Sequence, residues 1–240
     1  MRRSRAITLV SLAILTALAW AYVIQGAGMD NMHAMSRPSV SLFAILTGMW
    51  WVMMVAMMVP SAAPAILLYG QVYRARTELA GRPPTGAFLA GYLASWLAFA
   101  VTASTTQLLL QKASIASPMT MALQSKTAAA GLLIAAGAYQ LSPLKNACLG
   151  KCRAPASFLA AHYLPGRSGA FRMGLLHGAF CIGCCWMLTA LLLVGGVMNI
   201  AWIAAITLIV AAEKILQVGH WIARFAGVAF IVWGTVLLTS

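Results

Sequence analysis

Seven apolar stretches, near 7–25, 41–69, 86–106, 127–143, 172–195, 198–213 and 222–239, leave this chain few ways to fold. Each approaches the roughly 20 residues a helix needs to cross the ~30 Å hydrocarbon core of a bilayer. Only 8% of the residues are charged and 62% are hydrophobic, against about 25% charged in soluble domains. The expected fold class is therefore all-α: a single polytopic transmembrane helical bundle occupying 1–240, with about seven spans and no soluble domain. The basic opening Met1-Arg-Arg-Ser-Arg resembles the start of a signal sequence. The apolar stretch that follows is long enough to span, and no small-x-small site closes it, so retention as the first span is expected.

Lysine and arginine stay on the cytoplasmic side of short loops. With the N-terminus cytoplasmic, only Arg37, Lys112 and Lys126 of the 16 basic residues face outward, which sets the expected orientation. The net charge of +13 does not point to nucleic acid, because the basic residues are dispersed between apolar segments and form no patch. No internal repeat is evident. Gly174 and Gly178, four apart on one helical face, are placed to let a neighbouring helix approach closely.

Against this apolar background the soft ligands stand out. The segment after the first span holds Met29, Asp30, Met32, His33 and Met35. Thioethers select Cu(I), and imidazole accepts either copper state. The second span carries Met49, Met53, Met54, Met57 and Met58 just before Pro60. Methionine also fills irregular core gaps, and packing explains most of this abundance. Pro60 removes a backbone donor and frees a carbonyl near Ala56, a break of the sort that lines sites at membrane depth.

The fifth span has the sharpest pattern. Met173, Cys181 and Cys184 lie within about 40° of His177 on a helical projection, and Cys185 sits at the edge of that stripe. Counting ~1.5 Å per residue, Cys184 lies about 18 Å from Arg172, and Met53 a similar distance from Ser41. Both fall near mid-membrane, so Met53 and Met57 are expected to face the thiols.

Cys148 and Cys152 in the preceding inner segment could share a helical turn or clip a loop. A zinc site there would need further ligands, with His162 the nearby candidate. A redox pair is the alternative, and Lys145, Lys151 and Arg153 would favour thiolates. Glu213 and Lys214 are expected to pair with each other at the inner boundary.

The runs Trp51-Val-Met-Met-Val-Ala-Met-Met-Val-Pro-Ser, Tyr139-Gln-Leu-Ser-Pro-Leu-Lys-Asn-Ala-Cys, His177-Gly-Ala-Phe-Cys-Ile-Gly-Cys-Cys-Trp and Glu213-Lys214 resemble those of a bacterial family of predicted metal-binding integral membrane proteins. The resemblance implies a multi-pass protein of the bacterial inner (cytoplasmic) membrane with a metal association. Together with the soft ligands, it makes the leading expectation a non-enzymatic protein that binds or passes Cu(I), with zinc an option at Cys148 and Cys152. Its surroundings would be the lipid bilayer and a periplasmic metal-binding or membrane partner protein. A membrane thiol–disulfide oxidoreductase and a structural or assembly subunit are the rival readings.

Overall fold

The computed structural model describes residues 2–26, 40–76 and 83–239. They form ten helices: α1 (Arg2–Ile24), α2 (Val40–Arg76), α3 (Thr85–Lys112), α4 (Lys126–Gln140), α5 (Pro143–Arg153), α6 (Pro155–His162), α7 (Gly166–Ala190), α8 (Leu192–Gly195), α9 (Ile200–Ile215) and α10 (Gly219–Thr239). The all-α expectation holds, and each of the seven apolar stretches lies largely within helix. Among the described residues, five spans are long and apolar enough to cross a membrane: α1, α2, α3, α7 with α8, and α10. A sixth is reached if α4 and α5, bent by 62°, count as one. Helix α9, at 16 residues, falls short of that length.

Local chemistry sets the boundaries. Ser125 caps α4 by accepting from the Ala128 N–H, and Asn199 caps α9 by accepting from the Trp202 N–H. The bend after α4 has a defined cause. Pro143 disfavours helix at the residue before it, and Ser142 duly sits extended at ψ 146°, its hydroxyl capping α5 at the Lys145 N–H. This bend turns the segment expected to be an inner loop into two short helices, with Cys148 and Cys152 one turn apart on α5.

Helix α2 runs unbroken through Pro60 and Pro64 for 37 residues. The carbonyl that Pro60 frees, Ala56 O, accepts the Trp20 indole N–H at 3.1 Å, so α1 satisfies it from the side. Expectation and structure agree on the orphan, and its bond ties two helices together.

Glycine sets the closest approaches. A Cβ on Gly174 would overlap the Phe88 carbonyl oxygen, and one on Gly178 would lie 2.6 Å from Ser95 Oγ. Helices α3 and α7 therefore touch backbone to backbone, as small-residue interfaces between apolar helices do. A similar meeting of Gly137 with Gly227 joins α4 to α10.

Candidate metal centre

The α7 stripe is buried along its length, and every member is at most 2% exposed. It does not face a single environment. Its first two turns look toward aromatic rings, and its third and fourth toward sulfur.

His177 sits among Phe88, Tyr92 and Phe158, with ring centroids 6.0, 5.9 and 5.2 Å away. Its Nδ1 is buried with no hydrogen-bond partner. The Met173 thioether accepts from the Leu164 N–H at 3.4 Å, in the segment leading into α7. His177 thus joins α7 to α3 and α6, and Met173 ties α7 to the segment before it, one turn or more before the thiols.

The sulfur cluster begins at Cys181. Its carbonyl accepts from the Cys184 and Cys185 thiols at 3.1 and 2.9 Å, which fixes their rotamers back along the helix. Cys184 Sγ then lies 3.9 Å from Cys152 Sγ of α5. Cys185 Sγ lies 3.9 Å from the Met58 sulfur of α2. Cys148, one turn before Cys152, is half-buried against Gly183, where a Cβ would come within 2.8 Å of its sulfur. The Tyr139 hydroxyl donates to the Gly183 carbonyl and holds that turn of α7 against α4.

One cation enters this cluster. Lys214 Nζ lies 2.9 Å from Cys181 Sγ, 3.8 Å from Met58 Sδ and 3.4 Å from Ser61 Oγ. The Tyr92 hydroxyl is 3.1 Å from the same Cys181 sulfur and bonds the Met58 carbonyl at 3.2 Å. Glu213 turns the other way: its carboxylate accepts from Lys145 at 2.6 Å and from Gln140 at 2.7 Å. The expected Glu213–Lys214 pair does not form, because consecutive helical residues point about 100° apart and cannot face one another. Two of the three basic residues expected to serve the α5 thiols are engaged elsewhere. Lys145 is bound to Glu213, and the Arg153 guanidinium donates to the Leu216 and Gln217 carbonyls. The cation beside the thiols comes from α9.

The thioether that meets a thiol is that of Met58. Met53 lines a separate cavity of about 150 Å³ with Met49, Met198, Val23, Val197 and Ile203, and Met57 is buried in the α2 core. The depth count from Ser41 misses because α2, at ~1.5 Å per residue, is far longer than a ~30 Å core. Counted inward from Arg74 at its other end, Met58 is about 24 Å along the helix, close to the ~20 Å from Arg172 to Cys185. His162 does not join Cys148 and Cys152, since it bonds the Phe158 carbonyl at 3.0 Å and stacks on that ring. Met29, Met32, His33 and Met35 lie outside the described residues.

Sequence reasoning missed Met58, Ser61, Tyr92 and Lys214 as members of this cluster. For Lys214 a signal existed, because the helical offset from Glu213 already excludes that partner. The other three are found only by docking the helices.

Among the described residues all five cysteines are free, and no three His, Cys, Asp or Glu side chains are gathered tightly enough to hold an ion. What is preformed is a pair. Sulfurs 3.9 Å apart are well beyond the ~2.05 Å of a disulfide. They are within reach of one ion bound at the ~2.3 Å typical of zinc–thiolate bonds. Thiolate and thioether donors in a dry interior suit Cu(I), a soft ion, better than they suit hard cations.

Fold and cluster define the class: a helical protein of long apolar spans with a buried thiol–thioether centre served by one lysine. Residues 47–237 match the PpoB2 family model, described as a copper chaperone, and the chain belongs to that family. No curated protein and no solved structure matches it significantly.

Proposed function

We propose that this protein is an inner-membrane copper chaperone that holds Cu(I) between the Cys152 and Cys184 thiolates and delivers it to a periplasmic metal-binding or membrane partner. The observation that carries the reading is the approach of these two thiols, half-buried Cys152 from α5 and buried Cys184 from α7, to 3.9 Å. Cys185 and the Met58 thioether, 3.9 Å apart, stand beside the pair as further soft donors. Family membership supports copper as the cargo. The membrane setting rests on the long apolar helices. The proposed topology, N-terminus cytoplasmic, takes α4 and the shorter α9 as crossings beside the five long spans, and rests on the outward placement of only Arg37, Lys112 and Lys126. Met29, Met32, His33 and Met35 would then lie on the periplasmic side as a capture segment.

The test is a Cu(I) titration of the full chain in nanodiscs against a chromogenic chelator, under reducing and anaerobic conditions. Wild type should bind copper, and Cys152→Ser with Cys184→Ser should abolish tight binding. A wild type that takes up no Cu(I), or a double variant that binds equally well, would sink the proposal. Thiol–disulfide exchange through the same pair is the competing reading, favoured by the convergence of the two thiols from separate helices. It predicts a Cys152–Cys184 disulfide on mild oxidation and no copper in the reduced protein.

A further inference from the structure

Two lysines are buried in this interior, and only one has a carboxylate. Glu213 is the sole acid among the described residues, and both of its oxygens are engaged, by Lys145 and by Gln140. Lys214, also buried, has around its ammonium a thiol, a thioether and a hydroxyl. An isolated charge in a low-dielectric interior is costly unless a counter-charge sits beside it. The Lys145–Glu213 pair is neutral by itself, so among the described residues the counter-charge for an ammonium at Lys214 can come only from the sulfur cluster.

That requirement constrains which ion the cluster can hold. As two thiols become ligands, each gives its proton to solvent. A monovalent ion between two thiolates leaves a net charge of −1, which the adjacent ammonium cancels. A divalent ion between the same thiolates is already neutral, and the ammonium then makes the centre cationic. Lys214 reaches the cluster at Cys181 Sγ, 2.9 Å away, and the Cys181 carbonyl accepts from the Cys184 thiol, so its charge stands inside the same cluster, where such differences stay large even with the screening typical of protein sites.

We propose that Lys214 is the charge selector of this centre, favouring a soft monovalent ion, Cu(I) or its surrogate Ag(I), over divalent Zn(II). This inference rests on the thiol-pair reading above. It also assigns a role to a lysine that the copper-binding reading alone leaves unexplained.

The experiment compares wild type with Lys214→Leu and Lys214→Gln, as full chains in nanodiscs at one pH, with chelator competition for Cu(I), Ag(I) and Zn(II). Both neutral variants should lose Cu(I) and Ag(I) affinity and gain Zn(II) affinity, each on the order of tenfold or more. Opposite shifts are what a merely structural lysine would not produce. Lys214→Arg, which keeps the charge, should keep the monovalent preference. If Lys214→Leu does not fold, the glutamine variant decides the matter. Affinities that move together, or do not move, overturn the inference while leaving the thiol-pair reading intact. A wild type that binds no Cu(I) overturns both.

Discussion

Replacing Glu213 by glutamine isolates the most consequential polar contact outside the sulfur cluster. Lys145 and Glu213 are 0% and 2% exposed, with nitrogen and oxygen 2.6 Å apart. They join α5, which carries Cys148 and Cys152, to α9, which carries Lys214. The substitution removes the negative charge, leaves the amide close to isosteric, and strands the Lys145 ammonium in an apolar interior. Breaking a buried pair by removing one partner costs about 3–5 kcal/mol, because the remaining charge has nothing to balance it. At the ~2–4 °C per kcal/mol typical of domains of 150–250 residues, that is a fall in Tm of roughly 6–20 °C.

The double variant Lys145→Met with Glu213→Gln removes both charges and should recover most of the loss, since a buried ion pair is often no better than a well-packed apolar pair. Thermal unfolding in one detergent, across wild type, both single variants and the double, gives the coupling directly. The same loosening of α5 should speed alkylation of Cys152. A Glu213→Gln variant that loses less than about 1 kcal/mol, or a double variant as damaged as the two singles combined, would refute the reasoning.

Two further outcomes are expected. Gly174→Ala should lower Tm and the yield of folded protein sharply, because its Cβ would overlap the Phe88 backbone, which cannot rotate aside; comparison with Gly131→Ala, where nothing lies within 4 Å, provides the control. Met58→Leu nearly conserves volume and should cost less than about 1.5 kcal/mol in stability, yet weaken Cu(I) binding in chelator competition. Met53→Leu, in the separate methionine-lined cavity, should leave the thiol centre's affinity unchanged.

Much of this protein was determined by local chemistry and can be read along the chain. The apolar stretches are long, so helix is the way for each to satisfy its own backbone away from water, and all seven are largely helical. Gly174 and Gly178 marked a close helix–helix contact because four-residue spacing on one face is a property of a single helix. Pro60 announced a free carbonyl at Ala56 for the same reason, since the lost bond is internal to α2. The Met173–His177–Cys181–Cys184 stripe was legible as one buried face.

What tertiary structure decided was the matching of faces between helices. Periodicity assigns a residue its direction around one axis and says nothing of how that axis is shifted along its neighbour. A displacement of a few residues along α2 is what puts Met58, and not Met53, against Cys185. The same lack of inter-helix information hid the division of the α7 stripe into an aromatic half and a sulfur half. The bend at Ser142–Pro143, which could be suspected from the proline, delivers Cys152 to Cys184 only through its 62° angle. Lys214 shows the limit most plainly. Sequence adjacency suggested Glu213 as its partner, while the helix carries the two side chains apart, one to Lys145 and the other into the thiols. The residues of the centre were visible in the chain, and the packing of five helices made them a centre.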